Sequence, residues 1–248
     1  MRLAQEIAQE VRFHRKQWEY IYILRALEQH GKLGERGSGI GFGCGKEPLA
    51  AALAKRGAKV IVTDIPPQQG SDAHWGSTDA MDLFYGGICS LEEYRRQVSF
   101  RPVNMNKIPD DLREFDFAWS CCALEHLGSL RAGIEFILHS AKCLKPGGIA
   151  VHTTELNVRS ETETIETDGL SVYRRRDFLD LQTECIERGL ELLPLNFYFG
   201  TLPEDQYVDL PPYKQETHLK LAIEKFVITS FGLVVRRGKE LTMRRTDR

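Results

Sequence analysis

The 248-residue sequence predicts an α/β fold: a doubly wound, mostly parallel sheet with helices on both faces. Three observations predict it. Short apolar runs alternate with segments of helical period along the chain. A glycine-rich turn at residues 37–45 joins the first strand to a helix. The run AKVIVTD then ends on an acid, Asp64, and reads as a buried parallel strand with its carboxyl end at that acid.

The elements follow in order. Residues 3–30 read as one amphipathic helix, because Leu3, Ile7, Val11, Trp18, Ile21 and Leu24 recur at helical steps and Gly31 and Gly34 end it. Residues 37–43 are strand and turn, 47–56 a helix closed by Gly57, and 58–64 the second strand. Residues 65–97 are mixed, broken by Pro66-Pro67 and Gly86-Gly87. Strands are expected at 100–105, 115–122 (FDFAWSCC) and 149–155, with a helix at 130–144 and a KPGG turn between the last two. Beyond them lie a helix at 175–187, a strand at 190–199, a loop at 200–212, a short helix at 218–225 and a last strand at 226–236. No linker divides the chain. One domain, 1–248, is expected, with an N-terminal helical segment (1–30), a core (31–155) and a small C-terminal lobe of strands and insertions (156–248).

The formal net charge is only -2, a field too weak to point to nucleic acid or a membrane surface. Arg244, Arg245 and Arg248 read as a solvated basic tail. The six cysteines form no C-x-x-C pair and read as reduced, buried thiols, which predicts a cytoplasmic protein. The N-terminus is amphipathic and unlike a signal peptide, and no apolar run is long enough to span a bilayer.

The glycine turn reads Gly39-Ile-Gly41-Phe-Gly43-Cys-Gly45, followed by Lys46-Glu47-Pro48. Glycines let a backbone approach a ligand closely, and Pro48 suits a first helical turn. Asp64 stands nineteen residues beyond Gly45, where a carboxylate can accept both hydroxyls of a ribose. A dinucleotide site wants G-x-G-x-x-G and a pyrophosphate on the helix N-terminus. No start among Gly37, Gly39, Gly41 or Gly43 gives that spacing, and Glu47 would repel a pyrophosphate. S-adenosylmethionine (SAM) carries an ammonium group, which a carboxylate welcomes. These residues favour SAM over a nicotinamide cofactor.

From residues 37 to 155 the sequence resembles the class I SAM-dependent methyltransferases. The glycine turn is similar to their first motif, and Asp64 to the acid after their second strand. FDFAWSCCALEHLGS resembles their fourth strand and its loop, and LKPGG a common signature before the fifth. The stretches GFGCGKEPLAAALAKRGAKVIVTD and KPGGIAVHTTELN are similar to a bacterial branch often associated with polysaccharide biosynthesis. The resemblance implies a Rossmann-like methyltransferase fold, SAM as cofactor and Gly41, Gly43, Gly45, Glu47, Asp64, Asn104, Met105 and Cys122 as its contacts. Two positions depart from the family. Gly41 stands where an acid usually precedes the glycines, and Asn104 replaces the usual adenine acid. Glu47 is therefore expected to take over the SAM ammonium, and Asn104 to bond adenine through its amide oxygen.

Ligands of open α/β sheets bind at the carboxyl ends of the strands. Glu125 and His126 follow the fourth strand and Glu155 ends the fifth, so these three are the expected catalytic residues. His126 is the natural base near neutral pH. Alternatively, Glu125, His126, Glu155 or His152 could hold Mg or Mn, which would acidify an acceptor hydroxyl. His152 also reads as a core histidine, and His218 as a residue that could reach the site from the C-terminal lobe. Trp18, Glu19 and Tyr20 read as packing residues, with a lid over SAM the alternative for Tyr20, and the loop aromatics Trp75 and Tyr207 as packing residues, with stacking on a flat ligand or sugar face the alternative. The expected activity is O-methylation of a small molecule or glycan hydroxyl, with neither nucleic acid nor membrane as partner. The rival readings are a nicotinamide-dependent oxidoreductase or epimerase, and a SAM-binding module without catalysis.

Overall fold

The computed structural model describes residues 2–34, 37–65, 76–214 and 216–238. Pro66-Pro67, Trp75 and the Arg244, Arg245, Arg248 cluster lie outside the described residues. The expected N-terminal helix is interrupted. Helix α1 (Arg2–Glu6) stops at Ala8, whose φ of 53° belongs to the left-handed region. A short strand, β1 (Phe13–His14), follows, and α2 (Arg15–Gln29) begins where the His14 side chain accepts the Lys16 amide. The apolar period runs through this break because both pieces pack into the same apolar cluster, through Leu3 and Ile7 from one and Ile23, Leu24 and Leu27 from the other.

The core matches the expected alternation. Strand β2 (Ser38–Phe42), helix α3 (Leu49–Lys55), strand β3 (Lys59–Asp64), helix α4 (Leu91–Gln97) and strand β4 (Val98–Pro102) come first. Strand β5 (Phe115–Cys121), helix α5 (Leu130–Ser140) and strand β6 (Leu144–Asn157) follow. The KPGG stretch, expected as a turn, lies inside β6 at a register irregularity against β5, between Leu144 opposite Phe115 and Ile149 opposite Phe117. Helix α6 (Arg175–Glu187) has its expected bounds, but the strand after it, β7 (Leu190–Leu192), is shorter than the expected 190–199.

The C-terminal lobe differs most. The expected loop at 200–212 holds a short helix, α7 (Pro203–Gln206), and β8 (Val208–Asp209). The expected helix at 218–225 is instead β9 (Thr217–His218) and β10 (Lys220–Ile223). Strand β11 (Phe226–Arg237) pairs antiparallel with β10, from Ile223 against Phe226 to Lys220 against Thr229. Leu219, Leu221 and Ile223 alternate as a strand requires, and a neighbouring strand decides between that period and a helical one.

Among the described residues the main sheet runs β4-β3-β2-β5-β6-β11-β10-β8, with β7 also on β11. Strands β4 to β6 are parallel, and β11 is antiparallel to β6. Successive side chains face opposite sides. Phe117, Trp119, Val151 and Val234 join one apolar cluster with α2 and α3, whereas Ala118, Ala150, Leu233 and Val235 join another with α5 and α6. By that parity Cys121, Glu155 and Ser230 belong to the α2 face. The strand order reverses direction at β2 and β5, and the crevice at such a point is where ligands bind.

Candidate active site

The glycine turn lies at the carboxyl end of β2. A Cβ at Gly41 would overlap the Trp119 indole from β5, so this glycine makes room for a neighbouring strand's ring. At Gly43 φ is 59° and an added Cβ would come within 2.9 Å of Met105 and 2.8 Å of Ala123, so the turn needs glycine here too. Gly45, at φ 52°, donates its amide to Asp64 Oδ2 at 2.9 Å. The amides of Ser77 (3.0 Å) and Ile65 (2.8 Å) also donate to Asp64, fixing the carboxylate at the end of β3. Burial raises the Asp64 carboxyl above its ordinary range while the three amides pull it down. Asn104 is exposed, and its amide oxygen, expected on adenine, accepts the Asn106 amide at 2.8 Å.

Glu47 is buried behind the turn. Its Oε1 accepts the Trp119 indole N–H at 2.6 Å, and burial pushes its carboxyl up to about 8. The indole fills the space beside Gly41 and its N–H fixes the Glu47 carboxyl.

Helix α2 brings Glu19, expected from the sequence to be a packing residue, together with Arg15 and Lys16, which the sequence did not single out. Glu19 shares the buried stripe of Ile23, Ala26 and Leu27, which carries it onto the sheet beside Cys121 and Cys122. Its oxygens also accept from Lys16 (3.2 Å) and from the Ser230 hydroxyl. Burial opposes the Glu19 charge, yet Lys16 and Arg15 outweigh it and hold the carboxyl below its usual range. Arg15 lies 3.8 Å from Glu19 and pairs with Glu155 Oε1. The signal for this group was present: a carboxylate on an apolar helical stripe.

Cys122 closes β5 with a φ of 50°, a left-handed conformation uncommon for a side-chain-bearing residue, and its amide donates to Thr153 at 3.0 Å. Its sulfur lies 3.2 Å from Glu19 and 3.3 Å from Glu155. Burial raises both the Cys121 and Cys122 thiols well above the ordinary range, so they are protonated donors.

The expected catalytic trio is separated. Glu155 sits in the charge cluster. Glu125 is buried and accepts the Thr154 hydroxyl at 3.0 Å, on the opposite parity of β6. His126 is exposed, with Nδ1 2.7 Å from the Gly169 carbonyl. Its imidazole is turned to a loop, because the short 3-10 turn at Leu124–His126 presents Glu125 and His126 in different directions. His152 bridges Ser120 (2.8 Å) and Ser140 (3.1 Å) in the core, and burial lowers it to about 3. His218 pairs with Asp209 at 2.6 Å and stacks on His14, tying β9 to β1. Tyr20 is half-buried against the α2-side cluster, and Tyr207 is exposed.

One group of the described residues could offer three metal ligands: Glu19, Cys122 and Glu155, with one donor atom from each within 4.8 Å of the others. Glu125 and His126 are not in it. Arg15 and Lys16 already balance its two carboxylates.

A pocket of about 200 Å³ opens beside this cluster, lined by Arg15 and Trp18 of α2, Lys220 of β10, Thr229 and Ser230 of β11, and the segment around Phe199 and Asp205. Ser230 is the register partner of Glu155. A larger cavity of about 650 Å³ is lined by residues 106–110, Cys143, Leu190 and Arg237. These residues lead into β5, β6 and β7 or end β11, so that cavity lies at the opposite edge of the sheet from the glycine turn.

A parallel sheet with a reversal point, a glycine turn into a helix and an acid ending the next strand define a class I, SAM-dependent methyltransferase. The family profile described as Methyltransferase domain matches residues 13–195, and the chain belongs to that family. No curated protein matches the sequence. Solved structures share the fold at low identity. A candidate sarcosine dimethylglycine methyltransferase from Galdieria sulphuraria is 16% identical, with a TM-score of 0.58 over 88% of this chain and 85% of that one. A SAM-dependent methyltransferase from Clostridium acetobutylicum is 12% identical, with 0.52 over 95% and 96%. Magnesium protoporphyrin IX methyltransferase from Synechocystis, solved with S-adenosylhomocysteine (SAH), is also 12% identical, with 0.54 over 94% and 92%.

The residues present are suited to SAM: Asp64 offers a fixed carboxylate for a ribose, and Gly43 and Gly45 a turn without Cβ. Among the described residues no helix is long and apolar enough to cross a membrane.

Proposed function

We propose that the chain O-methylates a small molecule or glycan hydroxyl that enters between α2 and the C-terminal strands. The observation that carries this reading is Glu155: Oε1 is held by Arg15, while Oε2 is buried without a hydrogen-bond partner among the described residues. An unmatched buried acceptor costs about 1–3 kcal/mol, and an acceptor hydroxyl would supply the missing donor. When bound, SAM supplies a methyl group made electrophilic by its sulfonium. Asp64 holds the ribose, Gly43, Gly45, Asn104 and Met105 the adenosine side, Lys16 the carboxylate, and Glu47 or Glu19 the ammonium. Glu155 orients the hydroxyl and draws its proton at Oε2, and Cys122 donates to Glu155 from the side. Arg15 and Cys122 fix the Glu155 carboxylate in place, so alignment carries much of the rate.

The site works without a metal in this reading, since a divalent ion at Glu19, Cys122 and Glu155 would add charge to a balanced cluster. All six cysteines are free and buried, which suits a reducing, cytoplasmic setting. The resemblance to a branch associated with polysaccharide biosynthesis fits a glycan acceptor, and the weak net charge does not suit nucleic acid.

The test is SAH release against a panel of hydroxylated rings and sugars, with the methylated atom located by NMR. Glu155→Gln should lower the turnover number by about 10²–10⁴-fold and leave SAM affinity nearly unchanged. EDTA should have no effect. Full activity of Glu155→Gln, or methyl transfer to nitrogen alone, would overturn the reading.

A further inference from the structure

The pocket beside Glu155 limits what the acceptor is. A cavity of about 150 Å³ suffices for one benzene ring, so about 200 Å³ admits one substituted six-membered ring. Trp18, Tyr198 and Phe199 supply flat apolar walls. Trp18 is held against Tyr22 with ring centroids 5.1 Å apart, and Phe199 lies 5.9 Å from the Lys220 ammonium.

The polar lining separates ring types. Lys220 Nζ lies over the Phe199 ring with no hydrogen bond or ion pair among the described residues, and an ammonium only donates. Asp205 Oδ2 accepts the Leu202 amide at 3.0 Å, while Oδ1 accepts nothing among the described residues, and a carboxylate only accepts. The Thr229 and Ser230 hydroxyls donate to the Leu219 carbonyl and to Glu19, which leaves them acceptor capacity. The walls of one small pocket thus offer a free donor, a free carboxylate oxygen and two hydroxyl acceptors, with Glu155 buried next to the lining residues Arg15 and Ser230. A single phenolic hydroxyl can meet one or two of these. A ring carrying several hydroxyls, each both donor and acceptor, meets them together while its C–H face lies on the aromatic walls.

We propose that this pocket binds one polyhydroxylated six-membered ring, a monosaccharide or the terminal residue of a glycan, with one hydroxyl turned to Glu155. The proposal rests on the O-methylation reading and names its acceptor class. Ser230, opposite Glu155 in the β6–β11 register, joins the ring site to the reacting group.

Saturation-transfer NMR on the full chain with SAH tests it, using methyl glucopyranoside, methyl rhamnopyranoside, methyl maltoside and 4-hydroxybenzoate as probes. At least one glycoside should bind. Lys220→Met and Asp205→Ala should each weaken it about tenfold, the scale of a hydrogen bond to a charged group, with SAH affinity unchanged. Lys220→Arg should restore most of the loss. Maltoside binding through its terminal ring alone identifies the glycan end; binding of monosaccharides only identifies the free sugar. Failure of every glycoside to bind, binding of the phenol alone, or variants that bind glycosides like the parent would overturn the proposal. Glycosides that bind in this way but accept no methyl group would leave the ring assignment standing and defeat the O-methylation reading. A methylated phenol with no glycoside bound would do the reverse.

Discussion

Glu47 is a carboxyl group whose surroundings keep it neutral. Burial raises it from 4.5 to about 8, against the opposing hydrogen bond from Trp119. Between those values the folded chain holds a proton that the unfolded chain has lost, so this residue favours the fold less as pH rises through that window. At pH 7 the SAM-free protein therefore carries Glu47 protonated. If Glu47 receives the SAM ammonium, binding must expel that proton. Calorimetric titration with SAM at pH 7 in two buffers of different ionisation enthalpy should show proton release, and Glu47→Gln should abolish it. No proton release in the parent would hand the ammonium to Glu19. The acid at position 47 was readable in the sequence. Its indole partner was not, because Trp119 arrives from a strand 72 residues away.

At the scale of the element, α2 does more than pack. Its apolar stripe was legible from spacing, and so was the position of Glu19 on it. That Arg15 and Lys16 turn back toward the same carboxylates was not, since their side chains could equally extend to solvent. Removing one partner of a buried ion pair leaves an uncompensated charge. Glu19→Gln should therefore destabilise the protein by about 3–5 kcal/mol, read as a lower urea midpoint. The double substitution Lys16→Met with Glu19→Met should lose much less, because apolar replacement of both partners removes the stranded charge. A Glu19→Gln midpoint equal to the parent would show that the network contributes no stability. The expected single helix failed at Ala8, where a left-handed residue reverses the chain, because hydrophobic period records which residues are buried and not whether the backbone between them is continuous.

On the scale of the whole molecule, the sheet positions the site and its core sets the response to acid. His152 sits fully buried between two serines, and burial lowers it from 6.5 to about 3. In that window the unfolded chain binds a proton that the fold refuses, so stability falls as pH falls, by about 1.4 kcal/mol per pH unit for this one group. His14, lowered to about 4 by burial first and by Arg12 next, acts in the same direction, and Glu47 acts against both between 4.5 and 8. Comparison with His152→Asn isolates the core histidine: between pH 6 and pH 4 the parent's urea midpoint should fall more steeply than the variant's. Parallel curves would show that His152 is protonated without disturbing the fold.

The layered α/β architecture, the glycine turn and the acid that ends β3 were all legible in the amino-acid pattern. Apolar period, turn chemistry and short spacings are local properties, and local interactions settle them. The pattern also marked Glu155 as a strand-end carboxylate. That Glu155 meets Arg15, Cys122 and Glu19 while Glu125 and His126 turn elsewhere came from the folded chain alone. Those residues come from separate stretches of chain, and a one-residue shift in strand register sends every side chain to the other face. The pairing of Ser230 with Glu155 across β11 and β6, and the rotation of α2 about its own stripe, therefore chose which charges converge.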